Sequence, residues 1–340
     1  MRISEELFFD LVLDRQSLKQ YSANQLANIY IKSALTNALT SFILEQFWLE
    51  GQQDSDIVFE DFIQGDFSKH LQDIKFLENY ILSNGKGCLK KLGKDSLLLE
   101  NSIIEEIKKC SGDQQRVFLK ECFDLMLPLF IREEESDLGP RLYRTFDSID
   151  HIFNFNYLSD RELSVPEAQM NSSERLYIGS GVGVQSGYSN LLLAFHSLTL
   201  EKDAKVIDLG SGYGRVGLVF SILNPELGFI GYEFVKNRVD VSNKATSFLN
   251  LEKRLCYKVQ DLSDRSFDLP VANVYYLYDP FTEDTYKYII KKIIAIGKKQ
   301  KVSVVTKGNA REWFFKVGKE ELWKEPIELD GGNLCIFNSQ

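Results

Sequence analysis

Residues 204–217 read AKVIDLGSGYGRVG, and LVFSIL follows at 218–223. A short apolar run ends in an acid, Asp208. Gly210, Ser211, Gly212 and Gly214 then crowd into five positions, and an apolar segment with helical spacing takes over. This is the pattern of a strand, a tight turn and a helix. Glycines let the backbone bend sharply or approach a ligand closely, and a helix start offers free N–H groups to whatever lies in front of it.

Working outward, the next apolar run, GFIGY at 228–232, ends at Glu233, 25 residues after Asp208. An acid there can accept two hydrogen bonds from a ribose diol. RLCYKVQD (254–261), VYYLYD (274–279) and KVSVVTKG (301–308) are further strand-like runs, with helical segments at 235–249 and 282–297. Strands alternating with helices predict a doubly wound, mostly parallel α/β sheet. The rhythm then changes. Residues 323–329 and 334–337 read as two strands around Asp330-Gly331-Gly332-Asn333, so an antiparallel hairpin is expected to close the sheet.

Two ligands compete for such a turn. A nicotinamide dinucleotide places a pyrophosphate at the helix start, where Asp208 would repel it. Tyr286-Lys287 lacks the Tyr-x-x-x-Lys spacing of many dehydrogenases. S-adenosylmethionine has no phosphate, and Asp208 can hold its ammonium group directly or through water.

The run Asp208-Leu209-Gly210-Ser211-Gly212-Tyr213-Gly214 resembles the D-x-G-x-G-x-G motif of class I S-adenosylmethionine-dependent methyltransferases. The resemblance covers roughly residues 175–340. It implies a Rossmann-like fold, S-adenosylmethionine as cofactor, and a site built from the glycine turn. Glu233 matches the ribose-binding acid, and Asp261 with Leu262 matches the adenine contact. In this family the stretch before the first strand often folds over the cofactor, which brings in Tyr177, Gly179 and Gln185 from a glycine-rich run. A flexible linker is the competing reading of that run. Asp279-Pro280-Phe281 is similar to the Asp/Asn-Pro-Pro-Tyr motif of amino-methylating enzymes, with Phe281 in place of the second proline and Thr282 in place of the aromatic. The resemblance makes Asp279, Pro280 and Phe281 the candidate catalytic group, Asp279 contacting the nucleophile. A strand-end cap is the alternative for Asp279. The glycine run with Arg215-Val216 is also locally similar to protein-lysine methyltransferases that use this fold rather than a SET domain. N-methylation of a protein side chain, lysine favoured, is therefore the expected activity. A small-molecule methyltransferase and a non-catalytic cofactor-binding protein are the alternatives.

The first half has another character. Residues 1–165 carry 28 acids against 18 bases, and the remainder 21 against 22. Apolar positions at three- and four-residue steps predict helices over 4–20 and 23–50, with Gly51 as a stop. Further helices are expected at 67–82, ending at Asn84-Gly85, at 96–109 and at 113–131, the last kinked or shortened by Pro128. Residues 133–172 read as an irregular connector. The expected organisation is a helical cap or substrate/partner-recognition domain over 1–165 and a methyltransferase domain over 166–340. An acidic helical domain suits a basic protein partner.

The whole chain carries −9, the wrong sign for a protein that holds nucleic acid through phosphates. The lysines at 291–292 and 298–301 are expected to be a solvated helix end. Five scattered cysteines and three scattered histidines give no disulfide framework and no metal site. The N-terminus does not read as a signal peptide, and no apolar run is long enough to span a membrane. A reducing cytoplasm is the expected compartment.

Overall fold

The computed structural model describes residues 11, 15–53, 58, 75–135, 146–155, 185–279, 281–317 and 323–340. The chain divides into two compact units. One comprises Met1–Met126 with Arg144–Ile152, the other Leu127–Tyr143 with Phe153–Gln340. The boundary expected at 165/166 lies outside the described residues.

The first unit is helical. Helices α1 (Ala23–Gln53) and α2 (Lys75–Lys108) pack along each other, and α3 (Gly112–Glu135) follows, its residues from Leu127 onward counted with the second unit. Two capping boxes start α1 and α3. Ser22 Oγ accepts the Gln25 N–H at 3.4 Å while Gln25 Oε1 accepts the Ser22 N–H at 3.0 Å. Ser111 and Gln114 repeat the exchange at 3.4 and 3.2 Å. Each box satisfies two donors that a helix start leaves open.

Two expected stops do not end these helices, and Pro128 does not shorten α3. α1 runs past Gly51, and α3 continues past Pro128. α2 runs unbroken through Asn84-Gly85, joining two segments expected to be separate. Beyond that pair Leu89, Leu92, Leu99, Ile103 and Ile107 are all buried. Burying one such side chain contributes about 1.5–3 kcal/mol. A helical glycine costs only about 1 kcal/mol, so the continuous apolar stripe wins. The segment expected to be irregular is helical at its start, since α3 reaches Glu135, and holds a 3-10 turn at Asp147–His151.

The second unit is a seven-stranded sheet in the order β3-β2-β1-β4-β5-β7-β6. Its strands are β1 (Lys205–Leu209), β2 (Gly228–Glu233), β3 (Leu255–Val259), β4 (Val274–Tyr278), β5 (Ser303–Lys307), β6 (Ile327–Leu329) and β7 (Leu334–Asn338). The first five are parallel, and β7 runs antiparallel to β5 and β6. The helices between and before them are α4 (Tyr188–Ser197), α5 (Arg215–Leu223), α6 (Lys236–Phe248), α7 (Glu283–Gly297) and α8 (Ala310–Val317). α4 and α8 were not anticipated.

Alternation along the strands separates two apolar faces. Ile207, Leu209, Tyr275, Leu277, Val304 and Phe337 join Tyr286, Ile289 and Ile293 of α7 in one core. On the other face the Tyr276 hydroxyl pairs with Ser186 Oγ at 2.7 Å, just ahead of α4. The hairpin turn is a short 3-10 segment at Asp330–Gly332 in which all three residues have positive φ. This is the doubly wound sheet with a terminal antiparallel hairpin that the glycine-turn resemblance implied.

Candidate functional site

The site forms where β1 ends. Asp208 is the penultimate residue of that strand, paired in register with Gly231 of β2 and Tyr276 of β4. Its side chain is 2% exposed, and Oδ2 has no hydrogen-bond partner. Burial pushes this carboxyl well above the usual range, and the neighbouring Glu233 charge pushes it further.

The turn reverses through three left-handed glycines: Gly210 at φ 88°, Gly212 at 54° and Gly214 at 83°. A side chain would be strained at each. The N–H groups of Gly210 and Ser211 both donate to the Tyr232 carbonyl at 2.9 Å. Ser211 Oγ is buried without a partner.

Glu233 ends β2 against this turn. Oε2 accepts the Gly212 N–H at 2.9 Å, and Oε1 accepts the Val235 N–H at 3.0 Å. The Arg238 guanidinium lies 3.6 Å from Oε1, and both side chains are buried. A carboxylate accepts about four hydrogen bonds, so room for a diol remains.

The glycines divide their work. A Cβ on Gly212 would meet Gln185 Nε2 at 3.0 Å, so buried Gln185, ahead of α4, packs directly against the turn. Gly214, Gly217 and Gly231 instead make room for the Tyr257 ring of β3. The Tyr257 hydroxyl donates to the Gly214 carbonyl at 2.6 Å. Sequence reasoning missed Tyr257. Its signal was a tyrosine in a strand whose neighbours carry glycines.

After β3, Asp261 Oδ1 accepts the backbone N–H of Ser263 at 2.9 Å and its hydroxyl at 2.6 Å. That turn shapes the loop, and Leu262 beside it is buried.

The end of β4 carries the third group. Asp279 adopts φ 46°, turning the chain sharply after the strand. Asn309 Nδ2 donates to its Oδ2 at 2.7 Å, and the Tyr286 hydroxyl reaches Oδ1 at 3.4 Å. Gly308, at φ 64°, packs against this carboxylate. Phe281 is 2% exposed and packs edge-on against Tyr286, with ring centroids 5.2 Å apart, so its ring belongs to the core under α7. Lys307 ends β5 opposite Tyr278 and is buried, with Nζ 4.1 Å from the centre of the Tyr278 ring. Neither Lys307 nor Asn309 was foreseen, although both sit where the last parallel strand ends. Tyr177, Gly179 and Pro280 lie outside the described residues.

Asp208, Ser211, Gly212, Glu233 and Gln185 thus converge on one turn, with Asp261 and Asp279 at the ends of strands in the same sheet. The donor set fits S-adenosylmethionine. The unpartnered Asp208 oxygen suits an ammonium group, the open valences of Glu233 suit a ribose, and nothing in the set calls for a phosphate. Among the described residues, no group of three or more His, Cys, Asp or Glu could hold a metal ion. No described helix is long and apolar enough to cross a membrane.

No family model and no curated protein matches this sequence. Solved structures do match part of it. StiE O-MT is 15% identical with a TM-score of 0.34, over 40% of this chain and 50% of that one. A precorrin-6y C5,15-methyltransferase from Geobacter metallireducens is 14% identical with a TM-score of 0.35, over 46% of this chain and 90% of that one. TrmN from Thermus thermophilus is 14% identical with a TM-score of 0.33, over 44% and 46%. The match thus spans half the length of StiE O-MT, and likewise half of the YcgJ protein from Bacillus subtilis. The sheet order and the turn of left-handed glycines after β1 define the fold of the second unit. The second unit has the class I methyltransferase fold.

Proposed function

We propose that the second unit binds S-adenosylmethionine and directs its methyl group to a side-chain nitrogen of a protein, with lysine the favoured acceptor. The observation that carries this reading is the buried Asp208 oxygen without a partner, set beneath a turn of left-handed glycines. Asp208 would hold the ammonium group of the cofactor, Glu233 its ribose, and Asp261 with Leu262 its adenine. Gln185 would cover the turn. Tyr177 and Gly179 are proposed with it from the sequence. When bound, the cofactor supplies a methyl group on a sulfonium, already a good donor.

The chain then has to orient the acceptor and take its proton. Alignment of reacting groups can lower a barrier by roughly 7–11 kcal/mol. Asp279, hydrogen-bonded by Asn309 and Tyr286, would accept a hydrogen bond from the nitrogen and receive its proton. Pro280 and Phe281 would hold that turn in shape. The acidic helical unit is proposed to recognise a basic protein.

Calorimetric titration of S-adenosylmethionine and S-adenosylhomocysteine tests this reading, with Asp208→Ala, Glu233→Ala and Asp279→Asn alongside. Micromolar binding is expected for wild type, lost in the first two variants. Asp279→Asn should keep binding and lose methyl transfer to lysine peptides, followed by mass spectrometry. Binding of NADH in place of either ligand would overturn the proposal.

A further inference from the structure

The second unit has another cavity, of about 10 Å³, at the β6–β7 turn. That is room for one water-sized group. Phe130 and Leu193 give it an apolar wall, and Glu133, Glu134, Ser189, Asn190 and Asp330 give it a polar one.

The polar groups are specific in kind. Asn190 is fully buried. Its Nδ2 donates to Asp330 Oδ2 at 2.9 Å, which leaves Oδ1 without a partner. Ser189 is 4% exposed, and its Oγ has no partner either. Glu134 Oε1 accepts the Asp330 N–H at 2.8 Å, and Asn333 Nδ2 donates to Asp330 Oδ2 at 2.9 Å. The Asn190 amide and the Asp330 N–H thus already donate within the wall, and the unpartnered atoms are Asn190 Oδ1, an acceptor, and Ser189 Oγ. The start of α4 contributes about half a positive charge, which the carboxylates of Glu133, Glu134 and Asp330 outweigh. Arg311, near the same turn, is engaged by Glu328 and by the Gly332 carbonyl.

Such a cavity selects a ligand with several donors, one positive charge, a head the size of water and an apolar stem. That describes a primary alkylammonium. Among the described residues the cavity's carboxylates form no group that could hold a metal ion.

The position adds a use. The Asn333 carbonyl accepts the Gly308 N–H at 3.1 Å, and Gly308 packs against Asp279. The cavity and the proposed acceptor site thus share the end of the sheet where β4 and β5 finish and β7 begins.

We propose that this cavity is an ammonium subsite that seats a second lysine side chain of a basic peptide acceptor. Its use in catalysis rests on the amine-methylating reading above, but its occupancy does not. The test is titration of n-butylammonium into the full chain by NMR, with n-butanol as the neutral isostere and potassium and sodium chloride at matched ionic strength. Glu134→Gln and Ser189→Ala accompany wild type, and S-adenosylhomocysteine binding is measured on every sample. The expected result is saturable butylammonium binding, no butanol binding, and at least about tenfold weaker binding in Glu134→Gln. Ser189→Ala should weaken it less, with S-adenosylhomocysteine binding unchanged in both. No saturable binding to a wild type that binds S-adenosylhomocysteine would make the cavity a water site and overturn the proposal. Equal binding of butanol or of an alkali cation would overturn it too. Butylammonium binding without S-adenosylhomocysteine binding would sustain the subsite and sink the methyltransferase reading instead.

Discussion

An ionised carboxylate buried without a donor destabilises the fold that holds it, and Asp208 is in that position. Its pKa is raised by burial first and by Glu233 second. A raised folded-state pKa means that the folded protein binds the proton more tightly than the unfolded chain. Stability is then full below the ordinary carboxylate range and falls as pH climbs through the raised value. Asp208→Asn removes the ionisation. It should make the ligand-free protein more stable near pH 8 by about 1–3 kcal/mol, with the gain vanishing toward about pH 4. Urea unfolding across that range measures it. On the proposed reading, in which Asp208 holds the ammonium group, the same variant should lose S-adenosylhomocysteine binding. Asp208 and Glu233 were legible in the sequence because both lie at strand ends around one glycine turn. Lys307 and Asn309 were not, because their role depends on β5 lying beside β4, and no local pattern records strand order.

Among the elements, the strands were easier to read than the helices. Each parallel strand is a short apolar run with turn residues on both sides, so its ends are marked locally. The long helices obey a different balance. Asn84-Gly85 is a good local stop, yet the buried leucines and isoleucines on the far side hold α2 together. Local punctuation loses there to tertiary burial, which sequence spacing alone does not weigh. The packing of β3 on the glycine turn is equally non-local. Tyr257 joins three glycines from the turn, α5 and β2, and its hydroxyl ties down the Gly214 carbonyl. Tyr257→Phe keeps the ring and deletes that bond. A loss of about 1 kcal/mol in stability is expected, with several-fold weaker S-adenosylhomocysteine binding as the turn loosens. Gly231→Ala should cost more, about 1–3 kcal/mol, because a Cβ there overlaps both Tyr257 and Ser211. Thermal unfolding and calorimetry on the two variants separate anchoring from space-filling.

For the whole molecule, two compact units mean that unfolding need not be a single transition, and each unit carries a buried acid whose carboxyl is pushed upward. In the first it is Glu100, 3% exposed, whose Oε1 accepts the Ser148 hydroxyl while Oε2 has no partner. Ser148 in turn pairs with the Tyr30 hydroxyl at 2.8 Å. Burial raises the Glu100 carboxyl to about 7, against a smaller lowering by the Ser148 bond. The shift is upward, so the helical unit is fully stabilised below the ordinary glutamate range and loses that contribution as pH rises through about 7. A shift of that size corresponds to about 3 kcal/mol. Glu100→Gln should flatten this dependence between about pH 5 and 8. The ligand separates the two units in the same experiment. Saturation at a hundredfold excess over Kd stabilises the unit that binds it by about 2.7 kcal/mol. S-adenosylhomocysteine should therefore raise one transition in a thermal scan and leave the Glu100-dependent one in place. A single transition that moves as a whole with ligand, and with Glu100→Gln, would mean that the two units unfold together.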